Sequence, residues 1–128
     1  MKSKFLIVIA VVVLVAVGYF VWKSKFSPEV RAIRLVKQAL IDPDSAKFDQ
    51  VRYISRSGAV CGGVNSKNRM GGYVGMIAFI VDKTGKVTFE PMVDTESGSA
   101  ESRVDALQQS ITFLELVRAN CTVDSGES

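Results

Sequence analysis

Hydrophobic and polar positions divide this chain into one unbroken apolar run followed by short periodic segments. Residues 5–22 are 18 consecutive positions without a charged side chain, dense in Val, Ile, Leu and Ala. As a helix the run would span about 27 Å, close to the roughly 30 Å hydrocarbon thickness of a bilayer. Tyr19, Phe20 and Trp22 gather at its far end, where amphipathic rings favour the membrane interface. A retained single-pass anchor, in contact with lipid through residues 5–22, is the expectation. The competing reading is a cleaved signal peptide with Ala16-Val17-Gly18 as the small-residue site, which would leave the aromatic Tyr19-Phe20-Val21-Trp22 at the mature N-terminus.

Beyond the run the pattern shortens. Ser27-Pro28-Glu29 carries a capping hydroxyl, a proline where a missing N–H costs nothing and a carboxylate at the positive helix end. Val30, Ile33, Val36 and Leu40 then recur at helical spacing until Asp42-Pro43 stops the helix. Strands are expected over 48–55 and 59–64, and again over 73–81, the most apolar segment and so the most buried. The turn Asp82-Lys83-Thr84-Gly85 returns the chain into a fourth strand over 86–89. Helical spacing resumes over 100–119, with Val104, Leu107, Ile111, Leu114 and Val117 along one face and Phe113 and Leu116 widening it. The reading is therefore α+β: a membrane anchor with basic flanks at 1–25, a globular domain at 26–121 and a frayed polar tail at 122–128. In the domain, a roughly four-stranded antiparallel sheet buries a face under two helices in two layers.

Charge changes one part of this picture. The formal net charge is +3, but Lys2, Lys4, Lys23 and Lys25 bracket the apolar run; without them 12 basic residues face 13 acidic ones. The basic balance belongs to the membrane flanks, so no nucleic-acid partner is expected. The slight excess of positive charge ahead of the run, terminal amine included, favours an N-terminus inside and a domain outside. In a bacterium that is an inner-membrane protein with a periplasmic domain.

The chain has no histidine, which removes Ser-His and Cys-His nucleophile pairs and most catalytic zinc sites. No catalytic residue, metal or cofactor is expected. The two cysteines, Cys61 and Cys121, read as one disulfide or as two buried thiols. In the oxidising compartment that the topology implies, the disulfide is favoured, worth roughly 3 to 4 kcal/mol in the chain-entropy treatment.

The segment 60–75 is the most distinctive. Its glycine pairs and asparagines give backbone freedom, and Lys67 and Arg69 give positive charge, as an anion-cradling or partner-binding loop requires. The spacing fits neither a P-loop nor a dinucleotide fingerprint. Asn65, Lys67, Asn68, Arg69 and Tyr73 are the candidate binding residues. The alternative is a hairpin connection whose glycines serve tight turns and close sheet packing.

Asp42-Pro43-Asp44-Ser45-Ala46-Lys47-Phe48, together with Cys61-Gly62-Gly63-Val64-Asn65-Ser66-Lys67-Asn68 and Gly71-Gly72-Tyr73-Val74-Gly75, resembles a family of small uncharacterised bacterial and phage-associated proteins. Its members are typically exported or membrane-anchored. The resemblance implies kinship and compartment, and brings no activity with it.

Three functions follow as expectations. The first is a non-enzymatic tethered domain that binds a periplasmic protein or an envelope polymer through the loop. The second is an enzyme acting on envelope polymer with carboxylates drawn from Asp94, Glu96, Glu101 and Asp105. The third is a structural or assembly role in which the tether oligomerises, for which Gly18 and a few alanines are a faint small-residue signal.

Overall fold

The computed structural model describes residues 1–92 and 98–122. Three α-helices, α1 (Lys2–Lys25), α2 (Pro28–Ala39) and α3 (Ala100–Asn120), accompany four strands, β1 (Lys47–Ile54), β2 (Ala59–Asn65), β3 (Ile77–Val81) and β4 (Val87–Phe89). The strands form one antiparallel sheet in the order β1-β2-β3-β4. The α+β class holds, with a long apolar helix ahead of it. Every residue of α1 is exposed, and the helix is long and apolar enough to cross a membrane, a test that a signal sequence near the N-terminus also passes.

Local chemistry sets the boundaries of α2. The Ser27 hydroxyl accepts a hydrogen bond from the Val30 N–H, Pro28 occupies the first turn, and Leu40 is already extended. A single 3-10 turn, Pro43–Ser45, then leads into β1. The β3–β4 turn is equally local: the Asp82 carboxylate accepts from the Thr84 N–H, the Thr84 hydroxyl and the Lys86 N–H, while Gly85 supplies a φ of 91°. These bonds stabilise the ionised form and hold the Asp82 carboxyl below its ordinary value, the Thr84 side chain contributing most.

Strand alternation divides the core in two. Val60 and Val64 of β2, with Phe79 and Val81 of β3, face Ala32 and Val36 of α2. Phe79 is 1% exposed and takes the ring of Phe48 edge-on at 6.0 Å. The intervening positions, Ala59, Cys61 and Ile80, point to the opposite face and meet Phe113, Val117 and Cys121 of the chain end. The two layers expected are the sheet and α2. The second helix lies across the other face, and the parity of Cys61 explains why: it is one residue from Val60, so it points away from α2. The Cys61–Cys121 disulfide, with Cα atoms 5.9 Å apart, draws the end of α3 to that side. The Ser57 hydroxyl adds a hydrogen bond to the Asn120 carbonyl at 2.6 Å.

Two elements differ from the sequence pattern. The strand expected over 73–81 begins only at Ile77, and Tyr73, Val74 and Met76 are exposed. Gly75, at φ 99°, turns the chain out of the strand and gives its N–H to the Asn65 amide oxygen. The second difference concerns α3. Val104, Leu107, Ile111 and Leu114 are 62, 58, 51 and 64% exposed, and among the described residues of the helix Phe113 alone is buried. The face turned to the sheet is instead Ala106, Ser110, Phe113 and Val117. One helix carries two apolar stripes, and the sheet covers the shorter.

A bulge in β1 shapes packing on the α2 face of the sheet. The register slips between Asp49 and Arg52, with Gln50 at φ 49°. Opposite it stands Gly62, where a Cβ would lie 3.0 Å from the Val51 Cα and 3.1 Å from the Phe79 ring. A side chain there would part the strands from the core; the glycine is a packing requirement.

Candidate functional site

The connection 66–76 is a constructed loop tied back on the 3-10 turn. The Lys67 N–H donates to the Ser45 hydroxyl at 2.8 Å, and the Tyr73 hydroxyl donates to the Ser45 carbonyl at 3.3 Å. At its tip the Asn68 amide oxygen accepts the N–H groups of Met70 and Gly72, and the Asn68 backbone pairs with Gly72 and Gly71. Gly71, at φ 80°, completes that turn. Asn65 and Asn68 therefore spend their carbonyl oxygens on the loop itself.

Of the other three candidate residues, Arg69 and Tyr73 are exposed and Lys67 is half-buried. The Lys67 ammonium lies 5.5 Å from the centre of the Tyr73 ring, and the Lys47 ammonium, from the start of β1, lies 4.6 Å from it. Two cations against one exposed aromatic ring make a locally positive patch that a carboxylate would complement. Lys47 escaped the sequence reading because it stands 20 positions before Lys67; only the β1–β2 register, Lys47 opposite Asn65, brings it near. Arg69 and Met70 are exposed beside the turn, Met70 fully so.

Beside this cluster runs an apolar groove of about 240 Å³. Leu40, Ile41, Val74, Ile77, Phe89 and Met92 are its apolar lining, and Lys67, Asn68 and the carboxylate of Glu90 are among its polar members. Its volume falls below the roughly 300 to 1,000 Å³ of pockets that enclose a small molecule, and suits one or two side chains of a longer ligand. Leu40 follows α2 and Phe89 ends β4, so no stretch of sequence announces the groove. It forms because the loop folds back between those two ends. A second cavity of about 390 Å³ lies on the α3 face, between Asp49, Arg52, Glu90, Met76 and the disulfide. Its charges are of both signs, Asp49 and Glu90 against Arg52, and give no single ligand polarity.

The carboxylates considered for acid-base work do not form a described constellation. Asp94 and Glu96 lie outside the described residues. Glu101 sits in the first turn of α3 as a dipole partner behind the Ser99 cap, and Asp105 is exposed on the same helix. Among the described residues no group of three His, Cys, Asp or Glu could hold a metal ion. The tail beyond Thr122 likewise lies outside the described residues.

No protein-family model, no curated protein and no solved structure matches this chain.

Proposed function

We propose that this chain is a non-enzymatic binding domain held on the outer face of a bacterial inner membrane, where it captures an extended segment of a periplasmic protein. The apolar groove beside the loop receives one or two aliphatic side chains of that segment, and the cations at its rim receive a neighbouring carboxylate. One observation carries the reading: an apolar groove adjoining two lysines, Lys47 and Lys67, that both lie against the Tyr73 ring, with the turn backbone fixed by Asn68. A rigid loop presents those groups with little entropy left to lose on binding. The compartment rests on the exposed apolar helix α1, on the lysines ahead of it, and on a disulfide of the kind that persists in oxidising surroundings.

The test uses the full chain in lipid nanodiscs and a panel of extended peptides that share an aliphatic pair and differ only in flanking charge. Acidic flanks should give saturable binding and basic flanks none, with perturbed methyl signals at Ile41, Val74, Ile77 and Met92. The double substitution Lys67→Glu and Lys47→Glu should invert the preference. Binding indifferent to flank charge, or methyl shifts confined to other parts of the domain, would reject the site.

A further inference from the structure

The sheet has two edges, β1 and β4, and they are built differently. In β1 the register slip between Asp49 and Arg52, with Gln50 at φ 49°, breaks the line of backbone groups, and Lys47, Asp49 and Arg52 add charge. Bulges and charges are the usual guards of an edge against a further strand. β4, Val87-Thr88-Phe89, has neither.

The β3–β4 hydrogen bonds fix which backbone groups of β4 remain. The Asp82 N–H donates to the Lys86 carbonyl and the Glu90 N–H to the Ala78 carbonyl. In the observed register, with Ile80 opposite Thr88, bonded pairs fall at every second position. Thr88 therefore turns its N–H and C=O to β3, while Val87 and Phe89 turn theirs away from the sheet. Among the described residues no strand and no hydrogen bond meets those groups.

Each face beside this edge also carries an apolar opening. Val87 and Phe89 point to the α2 face, and Phe89 lines the groove of the candidate site there. Thr88 points to the opposite face, where a groove of about 280 Å³ lies between β4 and α3, lined by Thr88, Pro91, Thr112, Phe113 and Leu116 among others. Neighbouring side chains of a strand point to opposite faces. A strand laid along β4 would therefore offer successive side chains to the two grooves in turn.

We propose that β4 receives the captured segment of the partner protein as a fifth strand. The occupant is an extended segment with two adjacent aliphatic residues, one for each groove. This rests on the reading of the α2-side groove as a capture site, and adds how the ligand backbone is held. The outward N–H and C=O groups of Val87 and Phe89 select a ligand in extended conformation, because another strand presents acceptors and donors at the same repeat. Such bonds give affinity without sequence preference, and pockets for alternate side chains supply the preference. The lysine at the α2-side groove, Lys67, adds the choice of an acidic flank.

The experiment uses the full chain in lipid nanodiscs, the acidic-flanked peptide with its two aliphatic residues adjacent, and amide hydrogen exchange resolved by residue. In the free chain Val87 and Phe89 should exchange rapidly and Thr88 slowly. Saturating peptide should slow Val87 and Phe89 by about tenfold or more and leave Thr88 as it was. N-methylation of the peptide at one alternate set of amides should weaken binding about tenfold or more per site, and at the other set should leave it unchanged. Slow exchange at Val87 and Phe89 in the free chain would overturn the proposal, since the chain itself would then cover the edge. Peptide that shifts the methyl signals of the groove, yet leaves Val87 and Phe89 exchanging as before or tolerates N-methylation at both sets alike, would overturn strand addition and leave the capture site standing. Absence of binding by any peptide of the panel would overturn both.

Discussion

The two faces of the sheet are closed by different means. On one, the 12-residue helix α2 buries Ala32 and Val36 against Val60, Val64, Phe79 and Val81, without a covalent bond. On the other, the 21-residue helix α3 buries one side chain, Phe113, and is fastened at its C-terminal end by Cys61–Cys121. Length of helix is therefore no guide to how firmly it is held. Small side chains let α2 approach the sheet closely and exclude water, so van der Waals contact suffices. The leading half of α3 has little tertiary support, and a helix of that length is marginal in water by itself. The staple holds one end, and the apolar stripe along the rest is exposed.

The sharpest challenge to this contrast is Phe79→Ala. It removes the largest fully buried ring of the α2 face, and chemical denaturation should show a loss of about 4 to 5 kcal/mol. Second comes Cys61→Ser with Cys121→Ser, expected to cost about 3 to 4 kcal/mol. Hydrogen exchange should then show α3 opening while α2 and the sheet stay protected; exchange rising equally in α2 would mean that the faces are not separable. Phe113→Ala should cost about 2 kcal/mol, close to the transfer cost of a side chain on a face that water can reach. A loss as large as that at Phe79 would erase the distinction between a packed and a stapled helix.

The smallest effect concerns the turn that leads into β4. The Asp82 carboxyl is lowered by its bonds to Thr84 and Lys86. A depressed carboxyl contributes stability above its unfolded value, near 3.9, and that contribution is lost as pH falls through the lower folded value. Asp82→Asn should therefore be slightly less stable than the parent near neutrality and indistinguishable from it in strong acid. Melting curves across that range check the sign.

Much of the architecture was legible because its causes are local. The start of α2 is written in Ser27-Pro28-Glu29, and the β3–β4 turn in an aspartate, a threonine and a glycine at fixed offsets. With two cysteines in the chain, the disulfide had one possible pairing. The candidate loop was found from its glycines and cations, yet its division of labour was not. Asn65 and Asn68 looked like ligand-binding amides and hold the turns together, while Lys47, beside the Tyr73 ring, carried no mark of its own. The bulge at Gln50 is equally silent, because its positive φ is imposed by the pairing on both sides of it.

The sequence by itself determined the apolar helix, the order of elements, their caps and turns, and the one pairing open to a disulfide. These depend on groups a few residues apart, or on a choice with one outcome. Tertiary structure decided which face each helix took, which of the two apolar stripes of α3 was covered, and where a groove would open. The physical reason lies in β2. Its alternate residues offer apolar surface to both sides, so pattern alone favours neither, and the face is chosen only when α2 packs on Val60 and Val64 and leaves Cys61 pointing the other way.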